Sequence, residues 1–272
     1  MAWGTFNVSS ATYDSKTKSF GSTVASLMLS DDGTKAYTLE YNTRKVVQWT
    51  LSTAWDISTA TLASKELDTT AQLGAINAFN LFIGSSGTKV YVNGANNYIY
   101  QYTLSTAWDI STASYDSKNY TPSYSIKSFF INPTGGILYI GDNTNGVVKQ
   151  YTLSTAWDIS TATYASKSFA DEGYSSEIFF NDTGTVMFGA PGDGYVYQYT
   201  LSTAWDLSTA NWDPGRVKFD HFSTTGSNFT SSLCFKNSDG SKMYIMNNSA
   251  GGVWQFSTYT PVTGSSNFFQ LF

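Results

Sequence analysis

One string governs what this chain can fold into. TLSTAWDISTA stands at 50–60, 103–113 and 152–162, and returns as TLSTAWDLSTA at 200–210. Its tryptophans, Trp55, Trp108, Trp157 and Trp205, are 53, 49 and 48 residues apart. A worn copy opens the chain: FNVSSATYDSK at 6–16 aligns with WDISTATYASK at 157–167, and Phe6 stands 49 residues before Trp55 where the other units have Trp. A glycine turn keeps the same period, at Gly33, Gly87, Gly135, Gly184 and Gly240. Four residues after each glycine comes an aromatic (Tyr37, Tyr91, Tyr139, Phe188, Tyr244), and 14 or 15 after it a glutamine (Gln48, Gln101, Gln150, Gln198, Gln255). Repeats of this length signal propellers, solenoids or arrays.

Within a unit the pattern is that of strands. An apolar run precedes each glycine (Ser26–Leu29, Phe79–Ile83, Ser128–Ile131, Ile178–Phe180, Leu233–Phe235), and an alternating aromatic and β-branched segment such as Lys89-Val90-Tyr91-Val92 follows. A third run ends in the TLSTAWDIST string, and a fourth, such as 162–169, comes after it. These are short period-2 runs bounded by Gly, Asn, Asp and Ser, and no helix is expected. Four strands in about 50 residues, repeated radially, make a β-propeller blade. Named a to d, the strands number five sets of a, b and c, but the last set, 231–257, has no d strand of its own. The segment at about 11–20 supplies it. The expected fold is all-β: a single five-bladed β-propeller over residues 1–258, four antiparallel strands per blade, with the N-terminal strand closing the last blade and so removing the exposed sheet edges. Residues 259–272 are left over as an apolar tail.

Composition excludes several kinds of function. Charged residues are only 13% of the 272, net charge is −5, and the isoelectric point is near 4.7. Attraction to phosphate backbones or anionic lipid is therefore disfavoured, and neither nucleic acid nor membrane insertion is expected. No apolar run reaches the length of a membrane span, and the N-terminus lacks the basic and apolar regions of a secretory signal. One cysteine, Cys234, and one histidine, His221, rule out an internal disulfide and a Cys/His zinc cluster. No cofactor or metal is expected: the Asp31-Asp32-Gly33 turn has calcium-like acids, but the turns at 84–88 and 132–136 have none.

Each recurring residue type has a structural and a functional reading. A ring of tryptophans could stack on sugars or bases. Near-identity across units instead favours a Trp wedged between blades and an Asp capping the turn, although recent duplication leaves the same trace. The glutamines sit mid-strand among aromatics, and a buried amide must find partners; a bond to the neighbouring blade's backbone is the expected role. Propeller glycosidases need facing carboxylates on the innermost strands. Here those strands offer Glu177, read as a solvated rim residue, and Lys127 in another blade. His221 falls in the charged segment 216–221 and is expected on the surface. No catalytic residue is assigned. A hydrolase or lactonase acting through Glu177 is the least favoured alternative.

Variation points to binding. In a propeller the b–c and d–a loops share one face, and the a–b turns and c–d connections share the other. The second face is nearly uniform in this sequence, while the first differs in every blade. Candidate ligand-binding residues on it are Tyr41, Asn42, Asn96, Asn97, Asp142, Asn143, Asn145, Asp193, Asn247 and Asn248, types suited to hydroxyl recognition by hydrogen bonds and ring stacking. In the tail, Phe268, Phe269, Leu271 and Phe272 would be an aggregation liability in water, so they are expected to fold back or to dock on a partner.

The turns Ser30-Asp31-Asp32-Gly33-Thr34-Lys35-Ala36-Tyr37 and Ser238-Asp239-Gly240-Ser241-Lys242-Met243-Tyr244 resemble the SxDGTKMYV signature of YVTN/NHL-like propeller repeats. The longer QYTLSTAWDISTA unit is similar to repeats common in marine bacteriophage and bacterial proteins. That resemblance covers about residues 6–258 and implies a non-catalytic structural or binding propeller of a phage virion, as capsid decoration or tail-fibre accessory. Such a protein would be made in the host cytoplasm, with other virion proteins as partners and cell-surface glycan as a possible ligand. A stand-alone carbohydrate-binding lectin is the alternative.

Overall fold

The computed structural model describes residues 7–21, 23–170, 177–212, 217–227, 230–236, 240–247 and 251–258. Five antiparallel sheets follow one another along the chain. Blade 1 is Val24–Leu29, Lys35–Glu40, Lys45–Leu51 and Ala60–Asp68; blade 2 is Ala78–Gly84, Lys89–Gly94, Ile99–Leu104 and Ala113–Tyr120. Blade 3 is Ile126–Ile131, Ile137–Asp142, Val147–Leu153 and Ala162–Ala170. Blade 4 has Glu177–Phe180, Val186–Ala190 and Tyr195–Leu201, and its d strand comes in two pieces, Ala210–Trp212 and Lys218–Asp220, both paired with strand c. Blade 5 is Ser232–Phe235, Lys242–Asn247 and Gly252–Ser257, completed by Thr12–Ser19 from the start of the chain. The protein is a five-bladed β-propeller closed by its N-terminal strand.

Burial follows radius. Strands a read as buried at nearly every residue, because they ring the axis and are covered on both faces. Strands d alternate between exposed and half-buried, as outer strands wetted on one side must. The d strands of blades 1, 2, 3 and 5 share a bulge at Ser64, Ser117, Ser166 and Ser15, each with φ between +55° and +58°. That bulge turns the following lysine toward the next blade.

The expectation of no helix needs correction. Each WDIST string forms one turn of 3₁₀ helix, such as Ile57–Thr59, and two short α-helices, Thr70–Leu73 and Phe222–Thr225, lie in d–a connections. A single turn carries no 3.6-residue periodicity, so the pattern could not reveal it. His221 is also not on the surface. It is fully buried before the second helix, with Nε2 2.8 Å from Thr230 Oγ1 and Nδ1 3.1 Å from Thr225 Oγ1. Two flanking hydroxyls satisfy the ring, which lets it leave water despite the charged residues beside it in sequence.

The recurring residues hold blade to blade. Each glutamine Oε1 accepts a backbone N–H from the next blade's 3₁₀ turn: Gln48 from Ile110, Gln101 from Ile159, Gln150 from Leu207, Gln198 from Val8 and Gln255 from Ile57. Each strand-b tyrosine donates its hydroxyl to the carbonyl of the next blade's tryptophan: Tyr37 to Trp108, Tyr91 to Trp157, Tyr139 to Trp205, Tyr244 to Trp55. The aspartate after each tryptophan accepts from the Ser N–H two residues on, capping the turn, and also binds a lysine of the preceding blade's d strand (Lys16–Asp56, Lys65–Asp109, Lys118–Asp158, Lys167–Asp206).

The tryptophans adopt left-handed backbone, with φ from +61° to +64°, which a bulky residue does not take without compensation. Each indole lies against the glycine of its own blade's a–b turn. A Cβ on Gly33 would stand 2.3 Å from the Trp55 ring, and Gly87, Gly135 and Gly184 are equally close to theirs. These glycines are themselves at positive φ, so both space and backbone exclude any other residue. The recurrence of Trp, Gly, Gln and Tyr is thus a set of junction contacts.

Candidate functional site

On the variable face the polar side chains mostly bind their own loops. Asp142 is buried and its carboxylate accepts from the N–H groups of Thr144 (2.9 Å) and Asn145 (3.1 Å), from Asn145 Nδ2 (2.7 Å) and from Lys149 Nζ (2.7 Å). Burial alone would raise its pKa, but these donors outweigh it and hold the group below the usual carboxylate range. Asp193 accepts from Tyr195 N and Tyr197 OH. Asn96 donates to Tyr100 OH at 2.8 Å, and Asn97, at φ +63°, accepts from Ile126 N of blade 3. The Tyr41 N–H donates to Thr23 O, and its ring packs 6.1 Å from Phe79. Asn247 is buried.

Asn42 and Asn143 stand exposed, and so does Tyr98, which stacks on Tyr100 with ring centres 5.7 Å apart. The structure does not gather the candidates into one pocket. It spreads them over separate loops of the variable face. Asn248, Phe268, Phe269, Leu271 and Phe272 lie outside the described residues.

The axis holds what the sequence reading undervalued. Eleven residues before each repeated aromatic (twelve in blade 5) stand Ser26, Asn80, Ser128, Glu177 and Ser232, one per blade, on the innermost strands. Ser26 Oγ accepts the N–H of Leu81 and Ser232 Oγ that of Leu27, so serine at this level joins adjacent blades. Blades 2 and 4 depart from serine. Asn80 Nδ2 reaches across the axis to both oxygens of Glu177, at 3.0 and 3.1 Å, and Asn80 Oδ1 is buried without a partner.

Glu177 is 5% exposed, so it is not a solvated rim residue. Desolvation pushes its carboxyl well above the ordinary range, against the opposing pull of Asn80 and the Lys127 charge. A cavity of about 20 Å3 beside it, room for about one water, is lined by Ser26, Asn80, Glu177 and Ser232 above a layer of Met28, Phe82, Phe130 and Phe179. Glu177 is its one carboxylate among the described lining residues. A pair of carboxylates, as glycoside hydrolysis requires, is not assembled there. Among the described residues no group of three His, Cys, Asp or Glu forms a metal site, and no helix is long and apolar enough to cross a membrane.

No protein-family model and no curated protein matches the chain. Among solved structures it is similar to a functionally unknown protein from Desulfotomaculum acetoxidans, with 12% identity and a TM-score of 0.51 over 87% of this chain and 69% of that one. At that identity the likeness speaks for fold alone.

Proposed function

We propose that this chain is a non-catalytic binding propeller whose loop face recognises a polyhydroxylated surface such as a cell-surface glycan. The setting proposed is a phage particle, with the repeat face or the termini docked on other virion proteins. One observation carries the reading: what repeats is used in blade junctions, whereas the opposite face differs in every blade and keeps its polar groups fixed. Asp142 and Asp193 are spent on holding loops, and Asn145, though exposed, donates its amide to Asp142, which leaves Asn42, Asn143 and Tyr98 as exposed groups for contact. Rigid loops lose little entropy on binding, so weak hydroxyl contacts can add up.

A glycan array is the test. Saturable binding that is lost in the triple variant Asn42→Ala, Asn143→Ala, Tyr98→Ala, with melting temperature unchanged, is the expected result. Binding that survives the triple variant would move the site elsewhere. Turnover of a glycoside or lactone by wild-type protein, abolished by Glu177→Gln, would replace the proposal with a hydrolase. Antibody labelling of purified particles tests the setting, and absence of label from the particles would remove the virion role.

A further inference from the structure

A cavity of about 170 Å3 opens at the other end of the channel, on the repeat face. An apolar cavity of about 150 Å3 takes up a molecule of benzene size, so this one has room for a single ring. Its floor is made of three phenyl rings, one each from blades 2, 3 and 4. Phe82 meets Phe130 edge to face with ring centres 5.4 Å apart, and Phe130 meets Phe179 the same way at 5.5 Å. The half-buried indoles of Trp108 and Trp157 stand at its sides. Asp31 and Asp182 also reach the lining, but both are already engaged by partners within the protein. The surface left for a guest is therefore aromatic and neutral.

The repeats supply an internal control. Ser30, Asn132 and Asn181 occupy one position at the end of strand a in blades 1, 3 and 4. Each turns its side chain back onto the a–b turn, where Ser30 Oγ, Asn132 Oδ1 and Asn181 Oδ1 accept backbone N–H groups. Blade 2 has Gly84 there, so close under Trp157 that a Cβ would stand 2.4 Å from Cζ3. With no side chain to cap it, that turn takes another shape. Ser85 and Ser86 both sit at φ +52°, left-handed backbone that residues other than glycine rarely adopt, and backbone of this kind gathers at ligand clamps. Both serines line the cavity, Ser85 half-buried and Ser86 exposed, so the site has a polar edge above its aromatic floor. The cavity is built where the repeat is broken.

We propose that the cavity binds a neutral aromatic molecule of one ring, seated on the layer of Phe82, Phe130 and Phe179 with a hydroxyl or N–H at the edge formed by Ser85 and Ser86. An aromatic guest extends the edge-to-face pattern that the floor already sets, a gain that a saturated ring of the same size does not have. The site is distinct from the loop face, so its failure leaves the glycan proposal untouched. The probe is phenol titrated into the full chain, followed through the indole N–H resonances of Trp108 and Trp157. Cyclohexanol is the saturated control of similar size and the same hydrogen-bonding group. The expected result is a saturable shift with phenol, about tenfold weaker binding of cyclohexanol, and magnetisation transfer from phenol protons to both indoles. No saturation, equal affinity for cyclohexanol, or transfer to Tyr98 on the loop face in place of the indoles would overturn the proposal. Phe179→Leu takes one ring from the floor and should weaken phenol about threefold while leaving cyclohexanol nearly unchanged; equal weakening of both counts against the proposal. Should that variant not fold, the transfer experiment on wild-type protein decides.

Discussion

Four of the five blade junctions carry three contacts, and the one between blades 4 and 5 keeps a single one of them. At the four, a glutamine accepts from the next blade's turn, a tyrosine hydroxyl binds the tryptophan carbonyl, and a lysine pairs with the capping aspartate. At the closing junction, Gln198 still accepts from Val8 N at 3.1 Å. Strand b there has Phe188, which lacks the hydroxyl; Asn7 replaces the aspartate, capping its turn through Ser9 N; and Val217 stands opposite Gln198 where the other blades have lysine. Both partners of the ion pair are gone together. The difference shows how this ring tolerates its break. Blade 5 is where the N-terminal strand is held, by six residue pairs with Gly252–Ser257 and by Asp14, which accepts from Lys242, Gln255 and Ser257. Closure rests on the sheet within blade 5, and the neighbouring junction with blade 4 packs aromatic rings instead, Phe188 on Phe235 and Phe219 on Phe256.

Removing residues 1–20 should have the largest effect. It strips blade 5 of its outer strand, frees the edge of Gly252–Ser257 and removes the acceptor from three side chains at once. Loss of the cooperative thermal transition is expected in calorimetry. A truncated protein that melted like the full chain would show that the ring does not depend on that strand.

Acid should open the closing junction before the others. Burial pulls His221 down to about 4, against the opposing charges of Asp220 and Asp193. Below its ordinary value of 6.5 the unfolded chain takes up a proton that the folded one refuses, so stability is lost as pH falls from 6.5 toward 4. Over that window the loss amounts to about 3 kcal/mol. The capping aspartates change in the same direction but at lower pH: their pKa values are depressed, so their contribution persists until pH falls below 3.8. Hydrogen exchange at pH 5 should show residues 218–235 losing protection while the 3₁₀ turn at Ile110–Thr112 keeps its own. Uniform loss would mean that the five junctions behave alike.

Glutamine replacements come next. Gln48→Leu leaves the Ile110 N–H buried without an acceptor and should cost about 1–3 kcal/mol in chemical denaturation. Gln198→Leu removes the same bond from the junction that has no second one of the set, so exchange protection at Val8–Ala11 should collapse there, while the turn at Ile110–Thr112 in Gln48→Leu keeps partial protection.

Much of this was legible in the sequence because five copies act as their own alignment. Blade number, closure by residues 11–20, and the structural roles of Gln48 and Trp55 all follow from fixed offsets among repeats. What escaped were single departures whose meaning needs depth. Asn80 and Glu177 differ from serine at one level of the channel, yet nothing in a linear string says that they meet across the axis. His221 sits among charged neighbours, and only the tertiary placement of Thr225 and Thr230 makes burial possible. The loop candidates are of another kind: Asp142 and Asp193 have the residue type for binding, and their carboxylates accept from N–H groups of their own short loops.

The smallest expected effect gives the sharpest test of why the fifth junction is different. Asn7→Asp with Val217→Lys rebuilds the missing ion pair in the register of Lys16–Asp56. The existing pairs join lysines that are 34–40% exposed to partly exposed aspartates, so each contributes about 0–1 kcal/mol. In the sequence Val217 follows Arg216, where the other d strands have the bulged serine that precedes Lys65 and Lys167. If the bulge is what turns the lysine, the graft should add less than the native pairs, and a thermal midpoint shift below that lost in Lys118→Met would show it. A full gain would instead mean that the charge pair needs no bulge, and that its absence at the blade 4 to blade 5 junction is a matter of residue choice alone.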